Sequence, residues 1–128
     1  MEMKTHIEIE QLTELNAEQI LILSNQESID TVWMDWDQPE KVQSALDVFK
    51  EKGWKHDTLL KTAKQCNTAN MIAILNEYGK INIENLHSEY GTKWYVSINH
   101  DVDMDTFHFE EDELCDALWL AVKKITYQ

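Results

Sequence analysis

Apolar and polar residues alternate through residues 80–109, KINIENLHSEYGTKWYVSINHDVDMDTFHF. Because successive side chains of a strand point to opposite faces, this alternation predicts strands around Ile81–Ile83, Trp94–Ile98 and Phe107–Phe109. Two polar segments, 88–92 and 101–105, separate the three apolar stretches. The stretch therefore predicts a three-stranded antiparallel meander.

An amphipathic helix is predicted directly after the meander. Its apolar stripe recurs at helical spacing and consists of Leu114, Cys115, Leu118, Trp119, Ala121, Val122 and Ile125. Four acidic residues, Glu110–Glu113, precede the stripe, and Lys123 and Lys124 lie at its end. Acidic residues favour the first turn of a helix and lysines the last, so the sequence places the first turn at 110–113.

Three more helices are predicted before the meander. Pro39 opens the first, which carries apolar residues at helical spacing and ends at Gly53. Asp57 and Thr68 are the predicted N-caps of the second and the third, and the third ends at Gly79.

The N-terminal part shows the alternation of a strand first and the apolar spacing of a helix after it. Residues Thr5–Glu10 alternate and predict a short strand, and a helix entered near Thr13 or Asn16 follows through Ile20–Leu23. Residues 29–36 fit helical spacing and strand alternation equally well, so both assignments stay open.

Length and composition fit one domain spanning residues 1–128. The chain has 43% hydrophobic residues, one proline and three glycines, and it contains no repeat or linker. Strands flanked by amphipathic helices predict an α+β fold. We expect an antiparallel sheet, made of the meander and a candidate N-terminal strand, packed by helices as in an α-β-α sandwich. The helical pair before the hairpin also fits winged-helix ordering, which is the alternative.

Charge is the strongest signal in the composition. Acidic residues outnumber basic ones by 24 to 11, which gives a net charge of −13, and every basic residue is lysine. Residues 1–38 carry −8, residues 39–80 carry +2 and residues 81–128 carry −7, so both ends are acidic. In a compact fold these two ends would form one negative face if they came together.

This charge excludes several classes of partner. Without arginine, the chain lacks the planar group that grips phosphate and guanine, and its net charge repels a nucleic-acid backbone and an anionic membrane. The N-terminus lacks a signal-peptide pattern and no apolar run has transmembrane length, so we expect a cytoplasmic protein. Cys66 and Cys115 are expected to be free, packed thiols.

The second half resembles a known group of proteins. The strand Trp94–Ile98, the hairpin that follows it and the helix Leu114–Ala121 look like the C-terminal half of small phage-encoded α-β-α sandwich proteins of unknown function. The resemblance covers residues 80–126, and Asp116 stands where that helix commonly has arginine after its cysteine. It implies the fold and an origin on a mobile element, but no activity.

One segment has the composition of a metal site. Its candidate ligands are His100, Asp101, Asp103, Asp105 and His108. Thr106 and Asp112 occupy the positions where an EF-hand needs Gly and Glu, so a standard calcium loop is excluded. If the turn is centred on Asp103, residue 100 opposes residue 106, and the two histidines would lie diagonally on one face. A solvated acidic turn is nevertheless the favoured interpretation, and we expect no cofactor.

The sequence predicts a non-enzymatic protein that binds and blocks a basic protein partner. Phage antagonists of defence nucleases and immunity proteins for nuclease toxins fit this description, with carboxylates in place of phosphates and aromatic side chains as anchors. The predicted partner-binding residues are Asp101, Asp103, Asp105, Glu110, Glu111, Trp33, Trp36, Tyr90 and Tyr95. The alternatives are a homo-oligomer that uses residues 39–80 and a divalent-metal-binding protein that uses the His100–His108 hairpin.

Overall fold

The computed structural model describes residues 4–24, 26, 39–51, 53, 57–89, 91–100 and 106–126. The helices and strands in this part of the chain are, in order, α1 (Ile9–Leu12), α2 (Ala17–Ser24), α3 (Pro39–Glu51), α4 (Asp57–Gln65), α5 (Thr68–Tyr78), β1 (Gly79–Ser88), β2 (Gly91–His100), β3 (Thr106–Glu111) and α6 (Leu114–Thr126). The segment 29–36, for which helix and strand are both predicted, lies outside the described residues.

The three strands form one antiparallel sheet in the order β1-β2-β3, which confirms the predicted meander. Ile83 pairs with Val96, and Val96 pairs with Phe109, so the apolar residues of the three strands are aligned. Gly91 starts β2 with a φ of 123°, a backbone angle that side-chain-bearing residues rarely adopt.

One face of the sheet, here the inner face, is apolar. Its apolar centre consists of Ile81, Ile83, Val96, Ile98, Phe107 and Phe109. Val96 and Ile98 are fully buried on the central strand, and Ile81, Ile83 and Phe109 on the neighbouring strands pack against the same core. Helix α5 contacts β1, whereas α6 contacts β2 and β3. These helices and the antiparallel sheet confirm the α+β class.

The opposite face, here the outer face, is polar. Its described residues are exposed or half-buried, and apart from the exposed Leu86 they carry polar groups; they include Lys80, Asn82, Glu84, Leu86, Lys93, Tyr95, Ser97, Asn99, Thr106, His108 and Glu110. The side chains of a strand alternate between faces, so the apolar-polar alternation of the sequence separates the two surfaces directly.

Helix α6 lies at the centre of the packing, in contact with α2, α5, β2 and β3. Its buried residues include five of the predicted stripe, namely Cys115, Leu118, Trp119, Ala121 and Val122. Each of these side chains is at most 1% exposed. The amphipathic pattern therefore identified the helix that contacts four other elements, namely α2, α5, β2 and β3.

The predicted N-terminal strand is wrong. His6 forms one isolated antiparallel bridge with Asn67, and the chain then enters the short helix α1. Gln11 favours this helix because its Oε1 accepts a hydrogen bond from the backbone N–H of Glu8 at 3.0 Å. Ile7 is buried all the same, with its N–H bonded to the carbonyl oxygen of Cys66 at 3.2 Å.

Two predicted helix starts shift by a few residues. Glu110 and Glu111 end β3, because pairing continues as far as Trp94 with Glu111, so α6 begins at Leu114 and not within 110–113. Asp57 is the first residue of α4 instead of the cap that precedes it.

The N-caps of α2 and α5 are asparagines. Asn16 and Gln19 form reciprocal side-chain to backbone hydrogen bonds of 2.8 and 3.0 Å at the start of α2, which confirms the entrance near Asn16. At α5 the cap is Asn67, whose Oδ1 accepts from the N–H of Asn70 at 2.8 Å, and not the predicted Thr68.

We predict that Asn67→Ala lowers the free energy of unfolding by about 1 kcal/mol, because it leaves a helix N–H without its acceptor. Thr68→Ala, one residue further, removes only the 3.3 Å hydrogen bond from the Thr68 hydroxyl to the carbonyl oxygen of Thr5, so it should cost less, at about 0.5 kcal/mol. Chemical denaturation of both variants measures the difference, and equal losses would contradict the assignment of the cap.

Candidate partner-binding surface

The N-terminal segment is tied to the start of α6 by Lys4. Its ammonium Nζ lies 2.7 Å from Oδ1 of Asp116 and 2.7 Å from Oε1 of Gln11. Gln11 closes the arrangement, because its Nε2 donates to the same Asp116 oxygen at 2.9 Å. The backbone N–H of Lys4 also donates to Oε2 of Glu113 at 3.4 Å. These contacts join positions more than 100 residues apart in the chain.

The carboxylates around Lys4 dominate its ionisation. Partial burial alone would lower the pKa of the Lys4 ammonium. The hydrogen bond to Asp116 and the charges of Asp116 and Glu8 outweigh burial, so the pKa of Lys4 is raised above its ordinary value. Lys4 therefore stays charged, and it offsets part of the repulsion among its acidic neighbours.

We call the surface formed by Glu8, Asp112, Glu113 and Asp116 the acidic corner. Glu8 and Asp112 are exposed, and Glu113 and Asp116 are half-buried. Asp116 pairs with the Lys4 ammonium, and the charge of Glu8 acts on the same ammonium. Glu113 accepts from the backbone N–H of Lys4, and Asp112 directly precedes Glu113 in the chain. Four carboxylates and one ammonium leave these five groups with a net negative charge. The acidic corner combines residues from both acidic ends of the sequence.

A second set of contacts holds the N-terminal part against the other end of α6. Lys123 forms an ion pair with Glu14, and Nε2 of Gln19 donates to the carbonyl oxygen of Lys123 at 3.3 Å. An open groove of about 450 Å³ lies beside this ion pair. Its lining residues are Glu14, Gln19, Phe109, Leu120, Lys123 and Lys124.

Two of the predicted partner-binding residues meet on the outer face. Tyr95 lies directly between Glu84 and Glu110 in the register of the three strands. Its ring is 5.5 Å from that of His108, at an interplanar angle of 30°. Tyr95 is thus a half-buried aromatic side chain with a carboxylate on each neighbouring strand.

The carboxylate of Glu110 is 3.5 Å from Nζ of Lys93, and both side chains are at least half exposed. An exposed ion pair of this kind contributes little stability, and its carboxylate can bind another cation in place of the lysine. Glu110 therefore remains accessible to a partner.

Glu111 does not join Tyr95 and Glu110. It is half-buried and pairs with Trp94, on the side of the sheet that holds Val96 and Phe109 in register. Six other predicted partner-binding residues lie outside the described part of the chain, namely Asp101, Asp103, Asp105, Trp33, Trp36 and Tyr90.

Sequence reasoning did not identify Lys4, Glu8 or Asp116 as surface determinants. The three-residue spacing of Glu8 and Gln11 is a local capping signal that would have predicted α1. The contact between Lys4 and Asp116 has no local signal, because it joins positions 112 residues apart and forms only when the N-terminal segment meets α6 in the fold.

The strand register contradicts the diagonal arrangement of His100 and His108 that a turn centred on Asp103 would give. Asn99 pairs with Thr106 and Ser97 pairs with His108, so the turn is not centred on Asp103 and residue 100 does not oppose residue 106. Among the residues that the structure describes, no three His, Cys, Asp or Glu side chains come together in a way that could hold a metal ion. Asp101, Asp103 and Asp105 are not among those residues.

Both cysteines are fully buried free thiols, as the sequence predicted. Burial raises the pKa of Cys66 to about 12. Burial also raises the pKa of Cys115 to about 11, against the opposing effect of the Lys4 charge. Since the thiolate is the reactive form, neither sulfur is activated as a nucleophile near neutral pH.

No family model, curated protein or solved structure matches this chain. The similarity to phage-encoded sandwich proteins therefore stays a prediction. In the described ranges, no helix combines the length and the apolar character needed to cross a membrane.

We predict that the buried thiols make the protein less stable at alkaline pH. Their raised pKa values keep the folded state protonated, whereas the unfolded thiols ionise above about pH 8.5. Stability is thus fully present below that pH and falls as the pH rises toward the folded values of about 11 and 12. Each thiol contributes at most about 1.4 kcal/mol per pH unit.

Denaturation at about pH 8 and about pH 10 tests this prediction. The variant Cys66→Ala/Cys115→Ala should be less stable at the lower pH, because it loses packing, but should show a shallower fall between the two. An equal fall in both proteins would show that the thiols are not responsible.

Proposed function

We propose that this chain is a non-enzymatic binding protein that docks on a basic protein partner and blocks it. The expected partner is a nuclease or another nucleic-acid-binding protein, and the expected setting is the cytoplasm of a cell that carries a phage or mobile element. An inhibitor of a defence nuclease and an immunity protein for a nuclease toxin share this chemistry, and the identity of the partner distinguishes them.

The observation that supports the proposal is the acidic corner. Exposed Glu8 and Asp112 lie beside Glu113 and Asp116, and the ammonium near them, that of Lys4, is already engaged by Asp116. Proteins that bind nucleic acids present lysines and arginines toward the phosphates of their ligand. Carboxylates pair with the same cations, and most strongly with the planar guanidinium of arginine.

The outer face offers a second contact region of a different kind. Tyr95 has an apolar ring and a polar tip, and the strands beside it carry Glu84 and Glu110. Tyrosine is enriched among the residues that dominate binding energy at protein interfaces. We therefore assign Tyr95 as the candidate anchor and the acidic corner as the source of long-range attraction.

The first experiment identifies the partner. Tagged protein is used to capture proteins from a host lysate, with washes at low and high salt. Retention of a basic nucleic-acid-binding protein at low salt, followed by its release at high salt and by inhibition of its activity in an assay, supports the proposal. Recovery of the chain alone, or of an acidic partner that resists salt, would refute it.

Charge reversal then tests the surface. We predict that Glu8→Lys/Asp112→Lys slows association with the captured partner by about tenfold at low salt and flattens its salt dependence, because electrostatic steering depends on charges near the interface. The control Asp47→Lys/Glu51→Lys makes the same change in net charge at exposed positions on α3. It should slow association by less than about threefold.

Equal effects of the two double variants would mean that only net charge matters and would reject the acidic corner as the docking surface. Reversal of Asp101, Asp103 and Asp105 in a further variant tests the hairpin predicted from the sequence in the same assay. Unchanged rates in that variant would remove the hairpin from the interface.

A further inference from the structure

Strand β1 forms a long edge of the described sheet. In the part of the chain that the structure describes, β1 pairs with β2 on one side and with no strand on the other. It is ten residues long and contains no proline. The backbone groups on such an edge are a template for pairing with another strand. Lys80, Asn82 and Glu84 on this strand are all exposed.

The sequence of β1 is complementary to itself. If a second copy of β1 runs antiparallel with Asn82 opposite Asn82, then Lys80 faces Glu84 of the second copy, and Ile81 faces Ile83. Two-fold symmetry repeats each of these pairs. The register therefore yields two opposite-charge pairs on the outer face and two isoleucine pairs on the inner face, which are favourable cross-strand neighbours.

Other registers of β1 lose these matches. Side chains alternate between the two faces of a sheet, so one copy of β1 can slide along the other only in steps that keep outer-face residues opposite outer-face residues. The nearest shifts place Lys80 opposite Asn82 or opposite Leu86, so that no lysine faces a glutamate. In the single chain, Nδ2 of Asn82 donates to Oε1 of Glu84 at 3.3 Å, which holds the carboxylate over the outer face.

The other edge of the sheet does not have this property. Strand β3 has six residues and ends in Glu110 and Glu111. It has no lysine, and its one basic side chain is that of His108, so pairing two copies of β3 cannot place a permanently charged lysine opposite these carboxylates. The charge pattern thus favours β1 as the edge that meets a second copy.

We propose that two copies of this chain associate through β1, antiparallel and with Asn82 on the two-fold axis, to form a continuous six-stranded sheet. Residues 79–85 of each copy pair in this register, over about 24 Å at about 3.4 Å per residue. An interface of this size is small, so the dimer is weak and its population depends on concentration. This inference is independent of the proposed partner, and it differs from the sequence expectation that residues 39–80 form the contact.

Sedimentation velocity over a concentration series tests the association. At an ionic strength of about 0.15 M, where repulsion between the acidic chains is screened beyond about 8 Å, the mass should rise with concentration from 15.1 kDa toward twice that value. A mass that stays monomeric up to about millimolar concentration would overturn the proposal.

Charge exchange tests the register. Lys80→Glu and Glu84→Lys should each weaken the dimer by about tenfold or more, because each places like charges opposite each other. The double variant Lys80→Glu/Glu84→Lys should restore association, because the pairs are attractive again with their signs exchanged. The controls Lys61→Glu and Glu51→Lys make the same charge changes at exposed positions on α4 and α3 and should have little effect.

Circular dichroism verifies that the charge variants fold. Dimerisation that persists in both folded single variants, or that fails to return in the folded double variant, would overturn the proposed register.

Cross-linking gives a second test of the register. Asn82→Cys should form an intermolecular disulfide under mild oxidation, since only residue 82 faces its own copy. Glu84→Cys alone should not, but a mixture of Glu84→Cys with Lys80→Cys should. The buried Cys66 and Cys115 contribute little background. Cross-linking of Glu84→Cys as efficient as that of Asn82→Cys would contradict the arrangement.

Discussion

The burial of α6 is the constraint on which the rest of this structure depends. Its apolar side contacts the inner face of the sheet, and its neighbours on the helical side include α2 and α5. Trp119 and Leu118 are almost completely buried there, so a helix shift of even one residue would expose large apolar surface and open cavities. The position of α6 therefore fixes where the N-terminal segment can dock.

This constraint has an electrostatic consequence. Lys4 holds the acidic N-terminal segment against Asp116 and Glu113 at the start of α6. Carboxylates that are distant in sequence, such as those of Glu8 and Asp116, therefore act on the same ammonium. Gathering like charges costs stability, and Lys4 offsets part of that cost through Asp116 and Gln11. The surface that remains carries carboxylates from both acidic ends of the sequence. A protein that retains this arrangement has a site suited to cations, which is the basis of the proposed function.

The limits of the sequence analysis follow from the range of each interaction. Alternation over a few residues predicted the meander and the inner face correctly, and helical spacing predicted α3 and the buried stripe of α6. The same local alternation at Ile7 and Ile9 misled, because among the described residues no strand pairs with this segment beyond the bridge of His6 with Asn67. Glu110 was predicted in the first turn of α6 because acidic residues favour helix starts. It lies in β3 instead, because it pairs with Tyr95 on the neighbouring strand.

The candidate site was less predictable than the fold. Tyr95 and Glu110 could be proposed because alternation places both on one face, but the pairing of Lys4 with Asp116 arises only when two distant segments pack. The diagonal arrangement of His100 and His108 required strands paired symmetrically about Asp103. The observed pairing of Asn99 with Thr106 is half a residue away from that symmetry, and this shift changes every opposite pair.

The central claim is that the fold concentrates negative charge at the acidic corner. Paramagnetic relaxation of backbone amides by a cationic and an anionic nitroxide of the same shape measures the local potential at each residue in solution. The account predicts that the cationic probe is enriched at the amides of Glu8, Asp112 and Glu113 relative to those of Lys61 and Lys64 on α4. Equal enrichment at both sets of amides would contradict it.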